Sequence, residues 1–307
     1  KVRQTGDNKD HIQFNGLTAM QSLKVDLDKG NVLSATSFKL LIPSTRSGDN
    51  EIFGTLLLSQ LGYIAPKTFS VKSHINGNLV KYLFQENPNK ELLERNGRRE
   101  GPIFEGDESL VSERFLTVES DKFWEVKKHI IGARLINDNW PNKSREYLLI
   151  ALHSFILLQK EMLRYEISYP RKKLYLNPNN LNSNKNSFSK FNLLMLAMGG
   201  EHGLYSNNRK FYFDSLTGFF EPIYYDGDLD FQRSILEHLK VYGPDDLNHF
   251  FDDITEAGLA NLKYQIINID RMKLSEDFSN HSGKDIDKSS YNLSKFIDQI
   301  LSNFDVL

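Results

Sequence analysis

No cysteine occurs anywhere in the 307 residues. Disulfides, thiolate metal sites and cysteine nucleophiles are therefore excluded, although a large secreted domain can be stable without disulfides and the compartment stays undecided. No apolar run approaches the ~20 residues that a membrane helix needs, so no membrane span is expected. A basic surplus is missing too: the net charge is −2 and the pI is near 6.5. Nucleic acid is not an expected partner, because binders of the phosphate backbone carry excess positive charge. An acidic or nucleotide ligand would need a local basic site rather than a global field. Neither a G-x-G-x-x-G loop nor a P-loop is present, so the standard nucleotide fingerprints fail. The chain opens on Lys1 with no initiating Met and no signal-peptide pattern, as a trimmed chain would. Secreted, cell-envelope and cytoplasmic locations all stay open.

Core-building residues are plentiful. Hydrophobic residues make up 39% of the chain and aromatics 12%, enough for one large domain or two lobes sharing a cleft. Ser22 to Leu27 alternates, with Leu23, Val25 and Leu27 facing a core and Lys24 and Asp26 opposite. Ser37 to Ile42 is a second strand, stopped by Pro43. Asp49 or Asn50 is an N-cap candidate with Glu51 in the first turn, followed by the apolar stripe Ile52, Phe53, Leu56, Leu57 and Leu61 and a stop at Gly62. Phe69–Ile75 and Val80–Phe84 form a hairpin across Asn76-Gly77.

From about Lys90 onward the pattern turns mainly helical, with helical spacing near Lys122–Leu135 and Ser144–Tyr165. Pro170 to Ser189 reads as a surface loop, and Phe191–Met198 as a short apolar helix ending at Gly199-Gly200. A second hairpin, Arg209–Asp214 and Phe219–Tyr225, turns through residues 215–218. Beyond Asp230 the tail is expected to be helical, with a polar loop near Asn280–Ser289. No internal repeat is visible.

The second hairpin delivers acids at alternate positions. If the extended conformation persists, Asp226, Asp228 and Asp230 share one face, and like charges crowded together call for a hard cation such as Mg²⁺, Mn²⁺ or Ca²⁺. A solvated acidic turn is the plainer alternative. Upstream lie Glu201-His202-Gly203 and Asn207-Asn208. A carboxylate or imidazole, then an amide, then a strand ending in Asp is the order used by protein kinases. Glu201 equally suits a surface acid at a helix end, and His202 a satisfied loop histidine. Lys24 and Lys39 sit on adjacent strands and Glu51 opens the next helix, which permits the Lys–Glu pair of a kinase phosphate site; exposed strand lysines are the bland reading. Arg98-Arg99 lies in a charged block with Glu100, Glu105, Asp107 and Glu108, and suits either a phosphate grip or a structural clasp with acids.

Several stretches, in order, resemble the spore-coat CotH family of atypical protein kinases. They are Phe38–Pro43 through Asn50, Leu56–Pro66, Ile75-Asn76-Gly77, Tyr82-Leu83-Phe84-Gln85-Glu86 and Lys90–Glu94, then Asn208 with the aromatic hairpin and Tyr225-Asp226-Gly227-Asp228. Arg3…Gly6-Asp7-Asn8 and Ser22–Leu27 are similar to the family's opening strands, so the likeness covers most of residues 1 to 231. The resemblance implies an α+β, bilobal, kinase-like fold with a β-rich N-terminal lobe carrying one helix (1–88) and a larger, mainly helical lobe (89–307). It implies an ATP- and Mg²⁺-dependent phosphotransferase acting on Ser or Thr of a protein substrate. Asp226 would then hold metal, with Asp228 beside it and Asn208 as a further ligand. Lys24 or Lys39, with Glu51 and Glu86, would serve the nucleotide. The family's catalytic acid lies in an "N-W-D"-like run that here reads Gly200-Glu201-His202, with Glu for Asp, and Tyr225 replaces the usual Trp. These departures keep a non-catalytic surface-binding protein and a nucleotidyl transferase as alternatives. Oligomeric state is not assigned.

Overall fold

A computed structural model describes residues 1–6, 11–15, 18–107, 132–168, 185–205, 208–231, 235 and 256–306. The chain is α+β, with an antiparallel sheet lobe followed by a larger, mainly helical part. Strands β1 (Val2–Gln4), β2 (Ile12–Asn15), β3 (Thr18–Gln21), β4 (Leu23–Asp26) and β5 (Ser37–Leu41) come first. Helix α1 (Asp49–Gln60) leads to β6 (Thr68–Ile75) and β7 (Asn78–Glu86). The main sheet has the order β1-β4-β5-β7-β6, and β2–β3 pair separately. β4 shows the expected alternation: Leu23 and Val25 are buried while Lys24 and Asp26 are half-buried. The Asn76-Gly77 turn has both residues at positive φ, 50° and 82°, as a type I′ hairpin demands.

The second part contains more strand than its sequence pattern suggests. After α2 (Lys90–Arg95), capped by the Asn89 side chain on the Leu92 amide, come β8 (Ile103–Asp107) and β9 (Gly132–Leu135). The segment expected to be helical over Lys122–Leu135 therefore ends as strand, and its remainder lies outside the described residues. Helices α3 (Arg145–Ser168) and α4 (Lys185–Ala197) precede β10 (Lys210–Asp214) and β11 (Phe219–Ile223). The sheet order is β11-β10-β8-β9, and Phe104, Phe211, Phe213 and Phe220 form a core under α3. Helices α5 (Glu256–Ile267), α6 (Arg271–Ser282) and α7 (Ile286–Val306) close the chain. Only residues 283–285 separate α6 from α7, so no polar loop spans Asn280–Ser289; the Gly283 C-cap, at φ 70°, turns the chain there.

Helix α1 positions the site. Ile52, Phe53, Leu57 and Leu58 are all fully buried, each contributing about 1.5–3 kcal/mol. They pack with α4, α6, α7 and the chain following β11 in the largest core cluster. The N-cap is Gly48, and Asp49 is already helical. The chain after β11 is tied to α1 at two points: the Tyr224 hydroxyl donates to Glu51, and the Asn50 amide donates to the Leu229 carbonyl at 2.9 Å. Between those ties Leu229 sits against Gly54, where a Cβ would lie 2.0 Å from Leu229 Cδ1. Glycine in mid-helix normally costs about 1 kcal/mol relative to alanine, so here close packing outweighs propensity. Accordingly Gly54→Ala is expected to lose about 1–3 kcal/mol rather than gain. Urea denaturation measures this directly, and a gain in stability would refute the close-packing account.

Candidate functional site

The face of the main sheet that meets α1 carries a row of polar side chains. Lys24 on β4 lies opposite Lys39 on β5, which lies opposite Gln85 on β7. Directly opposed residues share a face, and two lysines opposed in this way repel. Burial lowers the pKa of the half-buried Lys24; Asp26 opposes that, while Arg3 and Lys39 push it further down. The Lys39 ammonium donates to the Tyr225 hydroxyl and lies 5.0 Å from the centre of its ring. From the opposite sheet, buried Lys210 on β10 sits 4.0 Å from that ring. Lys210 is ion-paired to Glu105 on β8, which also pairs with Arg134. The tyrosine standing where the resemblance has a tryptophan thus lies between two ammonium groups. Burial pushes the Tyr225 hydroxyl up, but Lys39, Lys210 and Arg46 more than offset this and hold it below its ordinary value.

Asp226 follows at the centre. It is buried, and its Oδ2 meets the Arg46 Nη2 at 2.9 Å. Arg46 ends a short 3-10 turn, Pro43–Arg46, between β5 and α1. His202, in the turn Glu201–Leu204, places Nδ1 2.9 Å from the Asp226 carbonyl oxygen and 3.4 Å from its Oδ1. Gly203 permits this approach, since a Cβ there would lie 2.8 Å from the Tyr225 carbonyl oxygen. Asp226 Oδ1 is buried and accepts no hydrogen bond of normal geometry. Burial raises the pKa of this carboxyl, but His202, Arg46 and Lys39 together more than offset it and hold it below the usual range. The His202 imidazole is pushed up in turn, chiefly by its bond to Asp226 and against a loss from burial.

The remaining expected residues distribute unevenly. Asp226, Asp228 and Asp230 do not share a face. β11 stops at Ile223, and Asp226 and Asp228 both adopt left-handed backbone, at φ 53° and 49°, which breaks the period of two. Asp228 is exposed and accepts from the Ser47 hydroxyl at 2.7 Å. The Asn208 amide donates to the His202 carbonyl at 3.0 Å, beside the imidazole, so it braces the turn that meets Asp226. Glu201 opens that turn, and His202 rather than Glu201 reaches Asp226. No Lys–Glu pair forms with Glu51: its oxygens accept from Gln85 Nε2 at 2.7 Å and the Tyr224 hydroxyl at 2.5 Å. Glu86 is also directed elsewhere, to Arg95 and the Lys67 amide. Arg98 forms a clasp with Glu221, at 2.7 Å, rather than with its sequence neighbours. Sequence pattern does not point to Arg46 or Lys210. Arg46 lies in a non-periodic turn, and Lys210 starts a strand whose next three residues are aromatic, where a lysine at the strand end reads as exposed.

Glu51 generates a pH dependence. Complete burial raises its pKa from the ordinary 4.5 to about 7, opposed by bonds from Tyr224 and Gln85 and by Arg46. The folded protein therefore binds the proton more tightly than the unfolded chain. Stability from this group is full below pH 4.5 and falls as pH rises to about 7. Glu51→Gln should flatten that fall, worth on the order of 3 kcal/mol, in denaturation measured at several pH values. An unchanged slope would show that folding does not raise the Glu51 pKa.

No protein-family model matches the chain, and no curated protein matches it. Solved structures do align with it. One is Shewanella oneidensis HipA, solved in a toxin–antitoxin complex with HipB and operator DNA: 14% identity, TM-score 0.44, over 98% of this chain and 66% of that one. This chain therefore spans just under two thirds of that HipA. Another is the Helicobacter pylori proinflammatory kinase CtkA, at 12% identity and TM-score 0.39, over 97% of this chain and 96% of that one.

Proposed function

We propose that the chain is a kinase-like phosphotransferase that binds a nucleoside triphosphate together with a divalent cation, and that Asp226 holds the cation. The observation that carries this reading is the buried Asp226 Oδ1, an acceptor met only by the long 3.4 Å contact of His202 Nδ1, set among Arg46 and the Lys39–Tyr225–Lys210 stack. A buried carboxylate oxygen of this kind suits a cation. Neighbouring ammonium groups that repel one another suit phosphate oxygens. Among the described residues no three His, Asp or Glu side chains gather as a complete metal cage. That fits Mg²⁺, which is commonly held by one or two carboxylates with water and substrate phosphates supplying the rest.

In this reading Asp226, with Asp228 and Asn208 as further oxygen donors, would hold Mg²⁺, which supplies charge neutralisation at the transferred phosphoryl group. Lys39 binds the phosphates, with Lys24 beside it and Lys210 across the Tyr225 ring. His202, biased toward its charged form, adds positive charge. Glu201 orients the acceptor hydroxyl, taken as Ser or Thr of a protein, as the CotH resemblance implies. Residues 1–88 form the nucleotide-covering lobe and 89–307 the lobe that carries Asp226. A binding-only protein is the second reading, favoured by the neutralisation of Asp226 by Arg46 in the free chain.

ATP with Mg²⁺ at about 100 times its Kd should stabilise the protein by about 2.7 kcal/mol in thermal unfolding, and EDTA should remove most of the shift. Lys39→Ala should weaken ATP binding roughly tenfold to a hundredfold, as expected for a charge-assisted contact. No shift at millimolar ATP would reject the nucleotide reading. Intact mass after incubation with ATP and a protein acceptor separates phosphate transfer from nucleotide transfer and from simple binding.

A further inference from the structure

We infer that Arg46 and Asp226 are the two halves of one ligand site, paired with each other in the free protein and parted by a metal-bound polyphosphate: Asp226 takes the cation and Arg46 takes phosphate oxygens. This rests on the reading of Asp226 as the cation holder.

The pair is incomplete on both sides. Both residues are buried, and their contact at 2.9 Å uses one guanidinium nitrogen and one carboxylate oxygen. Arg46 Nη1 donates to the Thr45 carbonyl at 3.0 Å, but Arg46 Nε is buried without an acceptor. Across the pair, Asp226 Oδ1 is buried with only the long 3.4 Å contact to His202 Nδ1 and no hydrogen bond of normal geometry. A buried ion pair holds its place when further hydrogen bonds satisfy the remaining donors and acceptors, and this one leaves Arg46 Nε unmet at one end and Asp226 Oδ1 weakly met at the other. The missing acceptor beside Arg46 Nε and the unused lone pairs of Asp226 Oδ1 are together what a cation–polyphosphate complex supplies. A purely anionic ligand would satisfy only the arginine, and a bare cation only the aspartate.

The chain around Arg46 suits such an exchange. Ser47 and Gly48 follow it with φ of 50° and 54°, so the turn ends in two left-handed residues where the backbone reverses into α1. Ser47 holds a conformation unfavourable for a side-chain-bearing residue. Its hydroxyl donates to Asp228 at 2.7 Å, so the same turn covers both acids of the Asp226-Gly227-Asp228 run. Releasing that turn frees both carboxylates at once and turns the Arg46 guanidinium, a forked donor matched to phosphate oxygens, toward the ligand.

The test measures binding of free Mn²⁺ by electron paramagnetic resonance and of ATP with Mg²⁺ by calorimetry. Arg46→Gln should bind Mn²⁺ alone more tightly than the unmodified protein, and ATP–Mg²⁺ more weakly, each on the order of tenfold. Asp226→Asn should lose Mn²⁺ binding. Opposite movement of the two affinities is the signature, since a merely structural arginine would lower both or neither. Both falling, or neither moving, overturns the inference while leaving the Asp226 assignment standing. Absence of Mn²⁺ binding in the unmodified protein and Arg46→Gln alike overturns that assignment and the inference with it. Should Arg46→Gln fail to fold, Ser47→Ala removes the second tie of the turn and should raise Mn²⁺ affinity at least about twofold; an unchanged affinity there also overturns the inference.

Discussion

Burying a carboxylate costs several kcal/mol unless positive charge is brought to it, and the placement of Asp226 depends on how that cost is met. Arg46 comes from the turn after β5, His202 from the turn after α4, and Lys39 from the middle of β5. Each supplies part of the compensating field: Lys39 and Arg46 from β5 and the turn that follows it, His202 from far along the chain. The main sheet, α1 and the β11 end are therefore fixed relative to one another by one acid as well as by apolar packing. Tyr224 and Leu229, both fully buried, hold the segment from either side, so the left-handed backbone at Asp226 and Asp228 is imposed by the surroundings.

The same arrangement sets the electrostatic character of the site around Asp226. With a net charge of only −2, the molecule has no global attraction for phosphate, yet Lys24, Lys39, Lys210 and Arg46 converge around Tyr225 and Asp226. Glu105 offsets Lys210, and Asp226 offsets Arg46, which leaves Lys39 with a hydroxyl rather than a carboxylate as its partner. Local charge of this sort, held at low dielectric, recognises an anion far better than the same charges spread over a surface.

Much of this was legible from residues alone, and the gaps have physical causes. Alternation in β4, the Asn76-Gly77 hairpin and the apolar stripe of α1 appear because each rests on local periodicity or turn chemistry. Strand position points to Lys24, Lys39 and Asp226 alike, and in the fold Lys39 acts electrostatically on Asp226. β8 and β9 were hidden because they are short strands whose partners lie far along the chain. The acid run was misjudged because nothing in Asp226-Gly227-Asp228 announces two non-glycine residues at positive φ. Arg46 was invisible for a related reason: a turn residue has no periodicity to betray which way it faces. A pair between Glu51 and either Lys24 or Lys39 is expected by analogy, whereas in the fold Tyr224 and Gln85 claim Glu51.

Everything assigned to the site around Asp226 requires that a cation join this residue to a triphosphate. The most direct measurement is a crystal structure with Mg²⁺ and a non-hydrolysable ATP analogue. The account predicts a cation within about 2.0–2.1 Å of an Asp226 carboxylate oxygen, with the phosphates against Lys39. Nucleotide bound elsewhere, or metal bound without contact to Asp226, would contradict it.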